Sequence, residues 1–269
     1  MKFHKPQSLP DCLCLLGKLK DPWLLAGGTD INIQIRHKQG IKDDVVLINH
    51  LPELSGIKIA DGKLIIGATA TIKEIADSEI IKKECPYLSE SLVDFASPLI
   101  SNLATIAGNI ANSSPTADTI PLLLVLKAEL VLSSTQGYRK IALEKFYTSY
   151  KHNVLNPGEM ISSIEIPIMP LDSYTSHYVK VGSRKALTIA KAALAFIKTK
   201  DEYRIAAGSL TEYPKRLLNV EAYLNNNKEI VNSKLFEVLD EDVSPISDFR
   251  SDEDYRLQVC RNHLIKFIK

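Results

Sequence analysis

Two stretches of the chain carry residue types and spacings suited to holding an anion. The first runs Leu25-Ala26-Gly27-Gly28-Thr29-Asp30-Ile31-Asn32. Adjacent glycines remove Cβ and let main-chain N–H groups close on a negative group. A helix starting just beyond them adds unpaired N–H groups and the positive end of its dipole. Thr29 adds a hydroxyl donor. This pattern reads as a phosphate cradle, and it equally suits a tight strand-to-helix turn with Thr29 or Asp30 as N-cap. The second stretch, Asn102 to Asp118, lacks Lys, Arg and Glu over seventeen positions. It offers Thr105, Gly108, Asn109, Ser114 and Asp118 among very small residues. That suits close approach to a flat polar ligand, or an irregular buried loop of Asx and Ser/Thr turns. Two such turns in one chain make a diphosphate-bearing cofactor more plausible than either turn alone.

Other chemistry finds little support. GxGxxG, GxxxxGK[ST], HExxH and GxSxG are all absent, so dinucleotide-fingerprint, P-loop, zincin and hydrolase-elbow readings have no basis. The six histidines are scattered, and Cys12, Cys14, Cys85 and Cys260 form no CxxC pair. No metal site is expected; the thiols read as reduced and mostly buried. The basic run Lys180-Val181-Gly182-Ser183-Arg184-Lys185 suits a solvated loop. Lys180, on a strand, could still face a ligand.

The elements that must position these residues can be outlined. A βαβ-like start has a helix over Asp11 to Leu19, a strand over Trp23 to Ala26, a helical segment from Asp30 to Arg36 and a strand over Val45 to Ile48. Ile57 to Ile66 reads as a hairpin turning at Asp61-Gly62. Thr71 and Glu74 form a capping box, so a helix starts at Ile72. Cys85-Pro86 ends that segment, and Tyr87 to Phe95 follows as a helix. A hydrophobic helix covers Thr119 to Leu126, and strands cover Glu129–Ser133 and Ile161–Ile168. Tyr178 to Val181, Ala193 to Lys198 and Tyr203 to Ala207 look like an antiparallel set. Pro214 to Leu224 and Asp252 to Ile268 read as helices. Pro167, Pro170 and Asp172-Ser173 mark the expected domain boundary.

Composition bounds the rest. The 269 residues allow about two domains. With 45% hydrophobic and 24% charged residues the chain is globular. A net charge of +1 suggests no nucleic-acid surface. No apolar run reaches the roughly 18 residues of a membrane span, and the N-terminus lacks a secretory hydrophobic region. A cytoplasmic protein is expected.

The residues also resemble a known family. Leu25-Ala26-Gly27-Gly28-Thr29-Asp30, Ile66-Gly67-Ala68, Ala104 to Asn112 and Ser114-Pro115-Thr116-Ala117-Asp118 are similar to the FAD-binding medium subunit of molybdenum hydroxylases. That family includes the flavin subunits of xanthine dehydrogenase and carbon monoxide dehydrogenase. The similarity continues through Ile164 to Pro167, Lys180 to Arg184 and Pro245 to Arg250 as far as Tyr255-Arg256. It implies an α+β fold. Residues 1–170 would form the FAD-binding domain, with α+β subdomains of about 1–56 and 57–170. Residues 171–269 would form a C-terminal α+β domain with an antiparallel sheet.

FAD would lie between these domains. The turn from Ala26 to Asn32 and the loop from Thr105 to Asn109 would wrap its pyrophosphate through N–H groups. Leu25, Phe95, Ser114, Asp118, Ser162 and Lys180 also match cofactor-contacting positions, with Lys180 expected near the isoalloxazine. Ser101 stands where many relatives have Arg. Ala107 stands where Gly is common, and an alanine disfavours a left-handed backbone. The implied role is an oxidoreductase relay. A molybdopterin-binding large subunit oxidises the substrate, [2Fe–2S] centres on an iron–sulfur subunit carry the electrons, and this chain's FAD delivers them to NAD or another acceptor. The alternatives are a stand-alone flavin oxidase of the vanillyl-alcohol-oxidase type and an FAD-free scaffold subunit.

Overall fold

A strand, β1 (Lys2–His4), and a helix, α1 (Leu9–Leu16), open the computed structural model, which describes residues 1–184 and 187–269. Ser8 caps α1 through Asp11 N–H. Next come β2 (Trp23–Leu25), α2 (Ile31–Arg36) and β3 (Asp44–Leu47). The three strands form a parallel sheet in the order β1-β3-β2. The βαβ reading of this region holds.

A second sheet starts with the hairpin β4 (Ile57–Ala60) and β5 (Lys63–Gly67). Asp61 and Gly62 have φ of 51° and 70°, the left-handed pair that a two-residue hairpin turn needs. Helices α3 (Ile72–Asp77), α4 (Glu79–Glu84), α5 (Pro86–Ser91), α6 (Pro98–Ser101), α7 (Ile106–Ala111) and α8 (Thr119–Val125) follow. The capping box at Thr71 forms as expected, with Thr71 Oγ1 accepting from Glu74 N–H and Glu74 accepting from Thr71 N–H. Three strands then extend this sheet: β6 (Glu129–Ser134), β7 (Gly137–Ala142) and, after the small pair β8 (Tyr147–Ser149) and β9 (His152–Asn153), β10 (Met160–Pro167). The order is β4-β5-β10-β6-β7. Leu64, Ile66, Leu130, Leu132, Ile164 and Ile166 point from it into a core shared with the completely buried helix α8.

The third sheet is antiparallel: β11 (Tyr174–Val181), β12 (Ala192–Thr199), β13 (Tyr203–Gly208) and β14 (Lys215–Arg216). Helices α9 (Leu218–Asn226), α10 (Asn232–Asp242) and α11 (Glu253–Ile268) complete the chain. Ala192, Leu194 and Phe196 of β12 pack with Leu224, Leu235, Cys260 and Leu264 on one face. Ala195 and Ile197, on the other face, join the first core. This central strand is thus buried on both sides and binds the C-terminal sheet to the rest of the chain.

Three expectations need correction. Asn102 to Asp118 is not an irregular loop throughout, because α7 lies within it, capped by the Thr105 hydroxyl. Pro214 to Leu224 is not one helix: Lys215 and Arg216 pair with Ala207 and Ala206, and the helix starts only at Leu218. The helix expected over Tyr87 to Phe95 stops at Ser91. Lys185 of the basic run lies outside the described residues. The observed architecture is α+β, as the fold reading held.

Candidate functional site

The two small-residue stretches lie against each other. A Cβ built on Gly27 would fall 1.7 Å from Leu103 O and 2.5 Å from Leu103 C. The second stretch occupies the space a side chain at Gly27 would need. Gly28 has φ +68°, the left-handed conformation in which glycine carries no steric cost. The double glycine is thus required by a close main-chain crossing at one position and by a turn at the next. A side-chain bond crosses the same seam: Asn112 Nδ2 donates to Asp30 Oδ1 at 3.3 Å.

The first stretch leaves its amides open. Among the described residues, the N–H groups of Gly27, Gly28, Thr29, Asp30 and Ile31 have no acceptor within the chain. Intrachain bonding resumes at Asn32, whose N–H donates to Gly28 O at 3.0 Å. Asp30 makes no side-chain cap. Its carboxylate instead accepts from Gln34 Nε2 at 2.5 Å and from Asn112. Residues Leu25 to Ile31 are half-buried, so these donors remain accessible.

The second stretch differs from its expected role. Ile106 N–H donates to Ala70 O at 3.0 Å, Ala107 N–H to Ala68 O at 3.3 Å and Asn109 N–H to Thr105 O at 2.9 Å. Gly108 N–H donates to Thr105 Oγ1 at 3.2 Å. Four amides of the Thr105–Asn109 loop are therefore committed to the α7 cap and to the Ala68–Ala70 segment, leaving no run of free donors. Its contribution is close packing. Gly108 serves that packing, since a Cβ there would lie 2.8 Å from Thr105 Oγ1. Ala107 sits inside α7 and is not left-handed, so the local backbone departure expected from alanine does not arise.

The other expected residues fall into two groups. Asp118 and Lys180 come together: Lys180 Nζ donates to Asp118 Oδ2 at 2.6 Å and to Asp94 O at 3.4 Å. Their side chains are only 8% and 14% exposed for Lys and Asp. Burial pushes the Asp118 carboxyl above its ordinary value, and the Lys180 ammonium pulls the other way. Asp118 Oδ1 is buried with no partner among the described residues. Lys180 lines a cleft of about 770 Å³ with Tyr87, Asp94, His177, Tyr178 and Arg184. Phe95 and Ser101 line a smaller hollow of about 260 Å³ beside α3.

Ser162, Asn109 and Ser114 instead have their side chains engaged within the chain. Ser162 donates to Val131 O at 3.1 Å and accepts from Ser133 Oγ at 2.7 Å. Asn109 Oδ1 accepts from Thr119 Oγ1 at 2.6 Å, and Ser114 Oγ pairs with Thr116 Oγ1 at 3.2 Å. Sequence reasoning missed Asn112, Gln34 and Tyr178. The signal for Tyr178 was its position two residues before Lys180 on a strand, which puts both on one face.

Five open amides fit a ligand's anionic oxygens, and the unpartnered buried Asp118 Oδ1 separately suits a polar hydrogen. Comparison with known proteins agrees. Residues 1–169 match the family described as the FAD binding domain in molybdopterin dehydrogenase. Residues 177–269 match the CO dehydrogenase flavoprotein C-terminal domain. The chain is 30% identical over 276 residues to a putative xanthine dehydrogenase FAD-binding subunit of Escherichia coli (strain K12), covering 99% of this chain and 94% of that one. It is 28% identical over 280 residues to the glyceraldehyde dehydrogenase medium chain of Sulfolobus acidocaldarius, covering 99% and 96%. The solved structure of reconstituted CO dehydrogenase from Oligotropha carboxidovorans matches with a TM-score of 0.92 at 25% identity, covering 99% of this chain and 95% of that one. The chain therefore belongs to the FAD-binding flavoprotein subunits of the molybdopterin dehydrogenases and is an oxidoreductase subunit whose cofactor is FAD.

Proposed function

We propose that this chain is the electron-relay subunit of a molybdenum hydroxylase complex. It would receive electrons from a [2Fe–2S] iron–sulfur subunit, which takes them from a molybdopterin-binding large subunit, and pass them to NAD or another acceptor. The observation that carries this reading is the row of five open amides from Gly27 to Ile31, set against the main chain of Leu103. Those donors suit a diphosphate bridge. The cofactor set is read as Leu25, Ala26, Gly27, Gly28, Thr29, Asp30, Ile31, Asn32, Phe95, Thr105, Gly108, Asn109, Ser114, Asp118, Ser162 and Lys180. Bound FAD supplies exchange of electrons singly or in pairs.

The chain's own residues do the holding. Gly27 to Ile31 bind the anionic oxygens, and Asp118 Oδ1 accepts a ligand hydrogen. Lys180 places a cation at the cleft, with its field partly offset by Asp118 at 2.6 Å. Residues 1–170 are read as the FAD-binding domain and 171–269 as the C-terminal domain. No helix among the described residues is long and apolar enough to cross a membrane, and the four free cysteines suit a reducing cytoplasm. The test is direct. The purified full chain should be yellow with flavin absorption bands or should take up added FAD. It should also co-purify with an iron–sulfur chain and a larger molybdopterin chain. A colourless chain that refuses FAD would refute the reading.

A further inference from the structure

The seam between the C-terminal sheet and the rest of the chain is fastened by side chains, one of which, Tyr178, the relay reading does not use. Strand β11 carries two of them on one face, Tyr178 and Lys180, aligned with Ala195 and Ala193 of β12. Both reach the same residue. Tyr178 Oη donates to the main-chain carbonyl of Asp118 at 3.2 Å, and Lys180 Nζ donates to its carboxylate at 2.6 Å. Asp118 immediately precedes α8, the helix buried at the centre of the molecule. A third tether, from Tyr87 Oη to His177 O at 3.0 Å, holds the adjoining stretch of β11 to α5.

This is a two-point grip. One point fixes the backbone of Asp118 and the other fixes its side chain. Burial pushes the Tyr178 phenol well above its ordinary value, so it remains a protonated donor. The bond to the carboxylate holds the side chain alone, and the Tyr178 bond ties the main chain from which that side chain projects to the same strand.

We propose that Tyr178 is a positioning residue of the cofactor site: its hydroxyl fixes the main chain of Asp118, so that the Asp118 carboxylate holds the Lys180 ammonium at the cleft. This rests on the assignment of Asp118 and Lys180 to the FAD site. It adds a residue whose hydroxyl is bonded to Asp118 and which, through that bond, positions the Asp118–Lys180 pair.

The experiment is a double-mutant cycle on the full chain, with FAD as the titrant and flavin fluorescence and midpoint potential as readouts. Tyr178→Phe and Lys180→Met should each weaken FAD binding about fivefold or more and shift the flavin potential in the same direction. The double variant should fall within about twofold of the weaker single variant, because both substitutions disable one arrangement. Tyr178→Phe keeps the ring and removes only the hydroxyl, so a role in packing alone would leave both affinity and potential unchanged. Losses that multiply in the double variant would overturn the proposal. So would a Tyr178→Phe chain with a lower melting point but unchanged affinity and potential. A wild-type chain that takes up no FAD removes the site assignment itself, whereas wild-type uptake with independent variant effects removes only the role of Tyr178.

Discussion

Replacing Gly27 by alanine tests the loop crossing on which the site is built. The added Cβ would start 1.7 Å from Leu103 O and 3.2 Å from Ala104 N. Real Cβ contacts essentially never fall under 3.0 Å, so the two main chains must separate by at least about 1.3 Å. Neither side can yield by rotating a side chain, since the opposing atoms are backbone. Overpacking of this kind costs about 1–3 kcal/mol. The same shift moves the Gly27–Ile31 amides relative to Leu103 and Asn112. Loss of one hydrogen bond to a charged group, about 1.5–3 kcal/mol, weakens binding roughly ten- to 150-fold. Equilibrium titration of the full chain with FAD gives the affinity, and thermal unfolding gives the stability. Gly28→Ala is the companion variant. Its φ of +68° costs an L-residue about 1–2 kcal/mol, but its nearest neighbour is the movable Leu25 Cδ1 at 3.0 Å. A Gly27→Ala chain that binds FAD within about twofold of wild type would refute the claim that the crossing sets the cradle.

Acid should loosen the second sheet. Arg139 bonds both Glu159 oxygens, at 2.7 and 2.8 Å, and holds this carboxyl below its usual 4.5. A carboxyl depressed on folding stabilises above its unfolded value and loses that contribution as pH falls through the folded one. Melting temperature should therefore drop below about pH 4.5, and less steeply in Glu159→Gln; identical slopes would remove Glu159 as a cause. Burial pushes the Cys12 and Cys85 thiols up to about 11 and Cys260 to about 12, while Cys14 is exposed. Alkylation near pH 8 should then label one cysteine in the folded chain and all four after denaturation; labelling of Cys260 in the folded state would contradict its burial. Thr71→Ala removes the hydroxyl half of the α3 capping box and should cost about 1 kcal/mol in urea unfolding, whereas an unchanged midpoint would mean the cap is redundant.

What was legible in the sequence was local. The Asp61-Gly62 turn, the Thr71 box and the Asp252-capped final helix each depend on residues within four positions of one another. What was not legible depended on distant partners. Lys215 and Arg216 extend an edge only because β13 lies beside them. Helix α10 escaped notice because, of its eleven residues, only Leu235, Leu239 and Asp242 are buried, too thin a stripe to stand out among its acidic neighbours. At the site, the pairing of two residues 62 positions apart was beyond any pattern of spacing, although Asp118 and Lys180 were each singled out.

The double glycine shows how a residue can be noticed correctly for an incomplete reason. Its composition suggested main chain closing on a phosphate. The geometry gives Gly27 a different duty, admitting the Leu103 carbonyl, and gives Gly28 the turn. The two duties are connected. With the second stretch pressed against Gly27, its own amides are taken up by the α7 cap and by Ala68 and Ala70. The first stretch then presents the continuous row of free donors. The crossing thus divides the labour: one strand-to-helix turn offers the amides, and the other stretch holds that turn in place. A substitution in the second stretch that preserved its backbone would leave the amide row intact, whereas any added side chain at Gly27 would disturb both partners at once.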